Sequence, residues 1–317
     1  MRVLVTGGAG FIGSHVAEAL LQRGDHVTVL DNLDSFYALE LKRANLDALQ
    51  RRGAAHIVEG DICDTAVLQR VFADGRFDAV VHLAACAGVR TSLQDPVRYV
   101  RVNVGGTTSL LQAAAAAGVA HFVLASSSSV YGNSVRTPFK EDDPADLPQS
   151  PYAASKRAAE HLTASFTQTT PMHATALRFF TVYGPRQRPE MAIRLFASQM
   201  LAGSEVTIFG DGSMRRDYTW IGDITRGVLA AIDTPSGWRV INLGGTSTTS
   251  LRELVQLLAT SLSVEAKVKY APVPAGDVRI TWADGARVKA LLHWEAQVPI
   301  AEGIVRFADW MRAGAKP

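Results

Sequence analysis

The sequence predicts an α/β protein: a doubly wound parallel sheet followed by a smaller α/β substrate-binding domain. Three observations carry this. Short apolar runs alternate with helical stretches through the first 180 residues. The first apolar run ends in Gly7-Gly8-Ala9-Gly10-Phe11-Ile12-Gly13, and the second is closed by an acid, Asp31. Past Thr181 the pattern changes to a Pro- and Arg-rich loop followed by less regular segments.

Residues 2–6 read as the first buried strand, and Ile12, Val16 and Leu20 recur at helical spacing until Gly24 ends the helix. Glycines at 7, 10 and 13 permit a tight turn, close approach of the backbone to a pyrophosphate, and close packing of the helix that Phe11 and Ile12 open. Residues 27–30 form the second strand. Asp31 follows, eighteen residues after Gly13, where a carboxylate accepts hydrogen bonds from an adenosine ribose, with Asn32 beside it. That carboxylate repels a ribose phosphate, so the expected cofactor is NAD rather than NADP.

A helix over 39–52 leads to a strand over 55–58, and Asp61-Ile62 then stands where the adenine edge of a dinucleotide lies. After a helix over 66–72 comes a strand over 79–83, whose end, Leu83-Ala84-Ala85, is small enough to leave room for the cofactor. His82 reads as a core residue at a strand end. Residues 96–117 read as one long helix, carrying Asn103 and ending at Gly118. A strand over 122–125 runs into Ser126-Ser127-Ser128-Ser129-Val130-Tyr131-Gly132. Serine runs are usually flexible links, but directly after a buried strand these hydroxyls face the crevice. A helix over 151–167 and a strand over 174–179 complete this half.

The second half opens with Gly184-Pro185-Arg186-Gln187-Arg188-Pro189 and a helix to about 203. A strand over 206–209 and a loop over 210–212 precede Arg215-Arg216-Asp217-Tyr218. Helices over 224–232, 251–262, 286–292 and 301–311 and strands over 240–243 and 266–270 finish the chain. The expected division is 1–180, with 220–245 returning to it, and 181–317.

Composition sets the class. Hydrophobic residues at 47% and charged residues at 20% suit a globular enzyme with a sizeable core. A formal net charge of +2, with no basic run, argues against nucleic-acid or membrane partners. Cys63 and Cys86 lack metal or redox spacing and read as reduced core thiols; no metal is expected. The chain begins directly with a strand and has no membrane-length apolar run, from which a cytoplasmic protein is expected.

The chemistry is expected at Ser150-Pro151-Tyr152-Ala153-Ala154-Ser155-Lys156. Pro151 suits the first position of a helix, which places Tyr152 and Lys156 on one face. A phenol with its pKa near 10 is a poor base, and lowering it by about three units requires roughly 4 kcal/mol. An ammonium at about 4 Å, at an effective dielectric near 20, supplies about that much. By itself the spacing also fits a half-buried core tyrosine and a solvated lysine.

Together, Gly7 to Gly13, Asp31-Asn32-Leu33, Asp61-Ile62, His82 to Ala85, Ser126 to Gly132, Tyr152 to Lys156 and Arg216-Asp217-Tyr218 resemble the extended short-chain dehydrogenase/reductases, a Rossmann-fold superfamily, and within it the nucleotide-sugar epimerases. The stretches Ala87-Gly88-Val89-Arg90-x-Ser92, 178–185 and Arg188-Pro189-Glu190-Met191-Ala192 are most similar to UDP-glucuronate 4-epimerases. The resemblance implies a homodimer and a transient oxidation at the sugar's carbon 4, with Tyr152 as base, Ser127 assisting and Lys156 tuning the phenol. Arg90, Ser128, Thr181, Arg188, Met191, Arg216 and Asp277 are the implied contacts to a UDP-sugar. Related dehydratases carry an acid where this chain has Ser129, which argues against dehydration. Relatives also have a basic residue before the late Gly-Asp; here the loop is Pro274-Ala275-Gly276-Asp277, leaving Arg279 or Arg216 for phosphate. UDP-glucose/UDP-galactose interconversion and a catalytically idle NAD-binding regulator are the alternatives.

Overall fold

In a computed structural model of the chain, residues 1–315 are described except 54, 135 and 274–277. Seven strands form one parallel sheet: β1 (Arg2–Thr6), β2 (His26–Asp31), β3 (His56–Glu59), β4 (Ala79–His82), β5 (His121–Ser127), β6 (His173–Phe179) and β7 (Trp238–Leu243). Their order is β7-β6-β5-β4-β1-β2-β3, and every neighbouring pair is parallel. The order reverses between β1 and β4, which opens a crevice at the carboxyl ends of those strands.

The strands are apolar on both faces because both are covered by helices. Along β1, Val3 and Val5 point into one core with Leu20 and Val228, while Leu4 points into the other with Leu110 and Phe122. These side chains are buried completely, each worth about 1.5–3 kcal/mol relative to exposure. A third core unites the Ala192–Leu201, Leu251–Leu262 and Ile300–Arg312 helices through Phe196, Leu258 and Phe307. Ser250 caps the second of these with a reciprocal Ser250–Glu253 capping box, as its sequence position suggests.

Two segments depart from expectation. The long helix over 96–117 is three pieces: Pro96–Tyr99, a π-helical stretch Val100–Gly106, and Thr107–Ala116. Val100, Val102, Val104, Gly105 and Gly106 are weak α-formers packed into one stretch, which gives the α-helical register least support there. A short helix, Val89–Gln94, also forms where none was expected. No helix among the described residues is long and apolar enough to cross a membrane.

Candidate active site

The strand ends of the crevice deliver their side chains to one cavity of about 410 Å³. Its floor is the glycine turn. Gly7 has φ +72°, and a Cβ there would lie 2.7 Å from the Ala84 nitrogen; one on Gly13 would lie 2.1 Å from the Gly7 oxygen. Only glycine allows the turn to pack this tightly against the β4 end and the Phe11–Gln22 helix. That helix has no side-chain cap at Gly10, so its first backbone N–H groups remain for an anion at the cavity.

Asp31 is buried at the end of β2 and lines the cavity. Its two carboxylate oxygens accept the Ala9 and Leu33 N–H groups, at 3.0 and 2.9 Å. Asn32 donates to Asp61, and Phe11, Ile12, Ile62, Leu83, Ala84 and Ala85 complete the wall. An uncapped helix start, a side-chain-free turn and a fixed carboxylate a strand away fit a dinucleotide. His82 is a core residue, as read: it bridges the Thr6 and Thr107 hydroxyls, and burial holds its imidazole down at about 3, so it stays neutral.

Ser150 accepts the Ala153 N–H and Pro151 opens the helix Pro151–Thr169, which places Tyr152 in its first turn and Lys156 a turn later. Tyr152, Lys156, Ser127 and Ser128 all line the cavity. Burial raises the Tyr152 phenol, and the nearby Ser127 hydroxyl and the charge of Arg188 act against it. The Lys156 ammonium donates to the Ala125 carbonyl, at 2.9 Å, a bond the helix spacing does not announce. Burial brings Lys156 itself down to about 8, with Cys86 and Glu160 opposing. The strand end beneath is rigid. Glu160, wholly buried, accepts both Nε and Nη2 of Arg178 at 2.8 Å and the Ser126 hydroxyl at 2.5 Å.

The opposite wall comes from the second half of the chain. Thr181, Arg188 and Met191 face the cavity. Arg186, two residues before Arg188, does not line the cavity: with a positive φ of +63° it pairs with Glu18 at 2.6 Å. Neither Arg90 nor Arg216 is in the cavity wall: Arg90 stacks on Phe209, and Arg216 reaches the Arg215 and Arg279 carbonyls. Asn103 is buried off the cavity. It fixes the Cys86 backbone through N–H and carbonyl and binds Ser155, so it positions the wall rather than lining it. Cys63 and Cys86 are half-buried rather than core, and burial raises both thiols. Asp277 and the rest of its loop lie outside the described residues. Among the described residues no cluster of metal-ligating side chains occurs.

Sequence reading missed a strap over the cavity. Asp34, Phe36, Tyr37 and Lys42 follow β2 and line it, with Lys42 Nζ 3.7 Å from Asp31 and Asp34 paired to Arg98. Its one sequence signal is the aromatic pair Phe36-Tyr37 in an otherwise polar turn shortly after Asp31.

The profile of the GDP-mannose 4,6 dehydratase family matches residues 4–307. The chain is 41% identical to UDP-glucuronate 4-epimerase 5 of Arabidopsis thaliana, over 98% of this chain and 75% of that protein. It is 40% identical to UDP-glucuronate 4-epimerase of Thermodesulfobacterium geofontis, over 98% and 95%. Among solved structures, UDP-glucuronic acid 4-epimerase from Bacillus cereus, in complex with UDP-glucuronic acid and NAD, matches with TM-score 0.92 and 36% identity over 99% of both chains. UDP-glucose 4-epimerase from Thermotoga maritima, with UDP-glucose, matches with TM-score 0.92 and 35% identity over 99% of both.

Proposed function

This chain belongs to the extended short-chain dehydrogenase/reductases of the GDP-mannose 4,6 dehydratase family, and from that premise we propose that it interconverts UDP-glucuronate and UDP-galacturonate by NAD-dependent 4-epimerisation. The observation that carries the reading is that Arg188 and Thr181 line the same cavity as Ser127 and Tyr152, with the Arg188 charge acting on the Tyr152 phenol. A uronate has its carboxylate on the carbon next to the one that reacts. A guanidinium gives that carboxylate a planar two-pronged grip, and a hydroxyl fixes its rotation. Fold likeness alone cannot choose the sugar, since UDP-glucose and UDP-glucuronic acid 4-epimerases match equally well. The cation facing the phenol is what favours the uronate. Ser129 before Val130-Tyr131-Gly132 leaves no acid there for dehydration.

NAD, when bound, supplies the acceptor for the hydride of carbon 4 and gives it back. The chain's residues do the rest. The glycine turn and the start of the Phe11–Gln22 helix hold the pyrophosphate, Asp31 the adenosine ribose, and Lys156 the nicotinamide ribose with the N–H donors not spent on Ala125. Tyr152 takes the 4-hydroxyl proton and returns it, and Ser127 orients that hydroxyl. Arg188 and Thr181 hold the carboxylate in alignment with the ring carbonyl, with the bond to it near the carbonyl plane, which suppresses loss of carbon dioxide from the 4-keto sugar. Ser128 and Met191 border the sugar; Arg90 and Arg216, which lie outside this cavity, are assigned to the UDP end together with Asp277.

In this reading residues 1–180, with 220–245, form the dinucleotide unit and 181–317 mainly the UDP-sugar unit. A cytoplasmic homodimer is part of the same proposal. Val97 and Val100, 76% and 55% exposed on the helical run that starts at Pro96, support pairing through that run and the Pro151–Thr169 helix. The test of function is direct: purified protein is incubated with UDP-glucuronate or UDP-glucose without added reductant. Formation of UDP-galacturonate, with NAD as the nucleotide released on denaturation, is expected. UDP-galactose as the only product, or NADP as the released nucleotide, would overturn the assignment.

A further inference from the structure

Arg188 is held from two sides. Its Nε lies 3.2 Å from a carboxylate oxygen of Glu190, and its guanidinium carbon lies 5.7 Å from the centre of the Phe36 ring. Among the described residues its Nη groups make no hydrogen bond, so that edge of the fork is left for a ligand. Arg188 lines the cavity and Glu190 does not. The Glu190 side chain is 46% exposed against 21% for Arg188, so the acid approaches the guanidinium from the solvent side. Glu190 also acts on Arg194, which sits over Trp310, and on Tyr37, whose hydroxyl is buried without a hydrogen-bond partner.

The loop therefore carries its own carboxylate against the guanidinium that a uronate must use. We infer that Glu190 is a positioning residue that sets the preference for a charged sugar: it orients the Arg188 fork through Nε and offsets part of its charge. The inference rests on the UDP-glucuronate reading and names what tempers that site. A site with an uncompensated Arg188 guanidinium would grip substrate and product uronates alike and delay their exchange. Glu190 keeps the grip moderate while leaving the direction of the fork fixed.

Charge and geometry separate cleanly in variants. Glu190→Gln keeps an oxygen for Nε and removes the charge; Glu190→Asp keeps the charge. A like charge about 6 Å from the bound carboxylate, at an effective dielectric of about 40 to 80, weakens its binding by about three- to tenfold. Calorimetry on the NAD-loaded Tyr152→Phe form gives dissociation constants for UDP-glucuronate and UDP-glucose, and steady-state rates on active protein give kcat and KM. In Glu190→Gln the UDP-glucuronate dissociation constant and KM are expected to fall by about three- to tenfold, kcat not to rise, and UDP-glucose binding to stay unchanged. The gain should shrink in about 0.5 M salt, and Glu190→Asp should bind like the parent. Unchanged or weaker uronate binding in Glu190→Gln, or the same change for both sugars, overturns the inference. A parent protein that binds UDP-glucuronate but fails to epimerise it defeats the substrate assignment, while the charge-dependent shift in binding still decides Glu190.

Discussion

Arg188→Ala is the perturbation that tests the substrate assignment most severely. Its cost to the fold is small, because among the described residues the one ion pair it breaks is the partly exposed one to Glu190, worth about 0–1 kcal/mol. Its cost to a uronate is larger. A charge-assisted hydrogen bond contributes about 1.5–3 kcal/mol, so kcat/KM for UDP-glucuronate should fall by about ten- to more than a hundredfold. A smaller, sugar-independent loss is also expected, since the Arg188 charge helps lower the Tyr152 phenol. UDP-glucose turnover isolates that second effect, and the ratio of the two losses measures the carboxylate contact alone. Arg188→Lys keeps the charge near Tyr152 but loses the planar fork, so it should restore UDP-glucose turnover and only part of the uronate activity. Equal losses for both sugars would refute the reasoning and return the substrate question to UDP-galactose.

Three further outcomes are expected. Tyr152→Phe removes the proton acceptor alone, so turnover should drop by orders of magnitude while the NAD content of the purified protein, read from released nucleotide, stays unchanged; near-parent turnover would mean another base. Burial pushes the Glu160 carboxyl up, but hydrogen bonds and charge from Arg178 more than offset this and hold it below its ordinary 4.5. Its contribution is therefore present above the unfolded value and lost as pH falls through the folded one; Glu160→Gln should cost about 3–5 kcal/mol in urea unfolding at neutral pH and flatten the acid dependence. Val97→Asp with Val100→Asp should shift sedimentation from dimer to monomer at micromolar concentration, and a parent protein that is already monomeric would reject the dimer.

The nucleotide half of the site was legible because its chemistry is written in adjacent residues. Glycines at 7, 10 and 13 can be judged from spacing alone, and Asp31 from its place at the end of an apolar run. The strand end that carries Ser127 followed from periodicity, since a strand buried on both faces leaves a recognisable apolar block; Thr181 instead opens a separate short strand, Thr181–Tyr183, paired with Tyr218–Trp220. What stayed hidden depends on partners far apart in the chain. Arg186 and Arg188 look alike in sequence. The first is removed from the cavity by Glu18, 168 residues away, and the second is held in it by Glu190 and Phe36. Lys156 could be placed on the helix face of Tyr152, but not its bond to a main-chain carbonyl of β5. Asn103 is expected at the cofactor, yet it lies off the cavity and binds the Cys86 backbone from a π-helical stretch that no side-chain pattern announces.

That division has a physical basis that bears on the substrate. The half of the cavity read as the cofactor's is shaped mainly by backbone and turn geometry, which a handful of glycines dictates locally. The half proposed for the sugar carries a long side chain, Arg188, from a Pro-rich loop, and its direction is decided by an ion pair and stacking. A backbone site tolerates little change, because a Cβ at Gly13 meets the Gly7 oxygen at 2.1 Å. A side-chain site can be redirected by exchanging one counter-charge. Chains that share this sheet can therefore keep NAD and the tyrosine while differing in sugar, and residues 184–191 are where that difference should be sought.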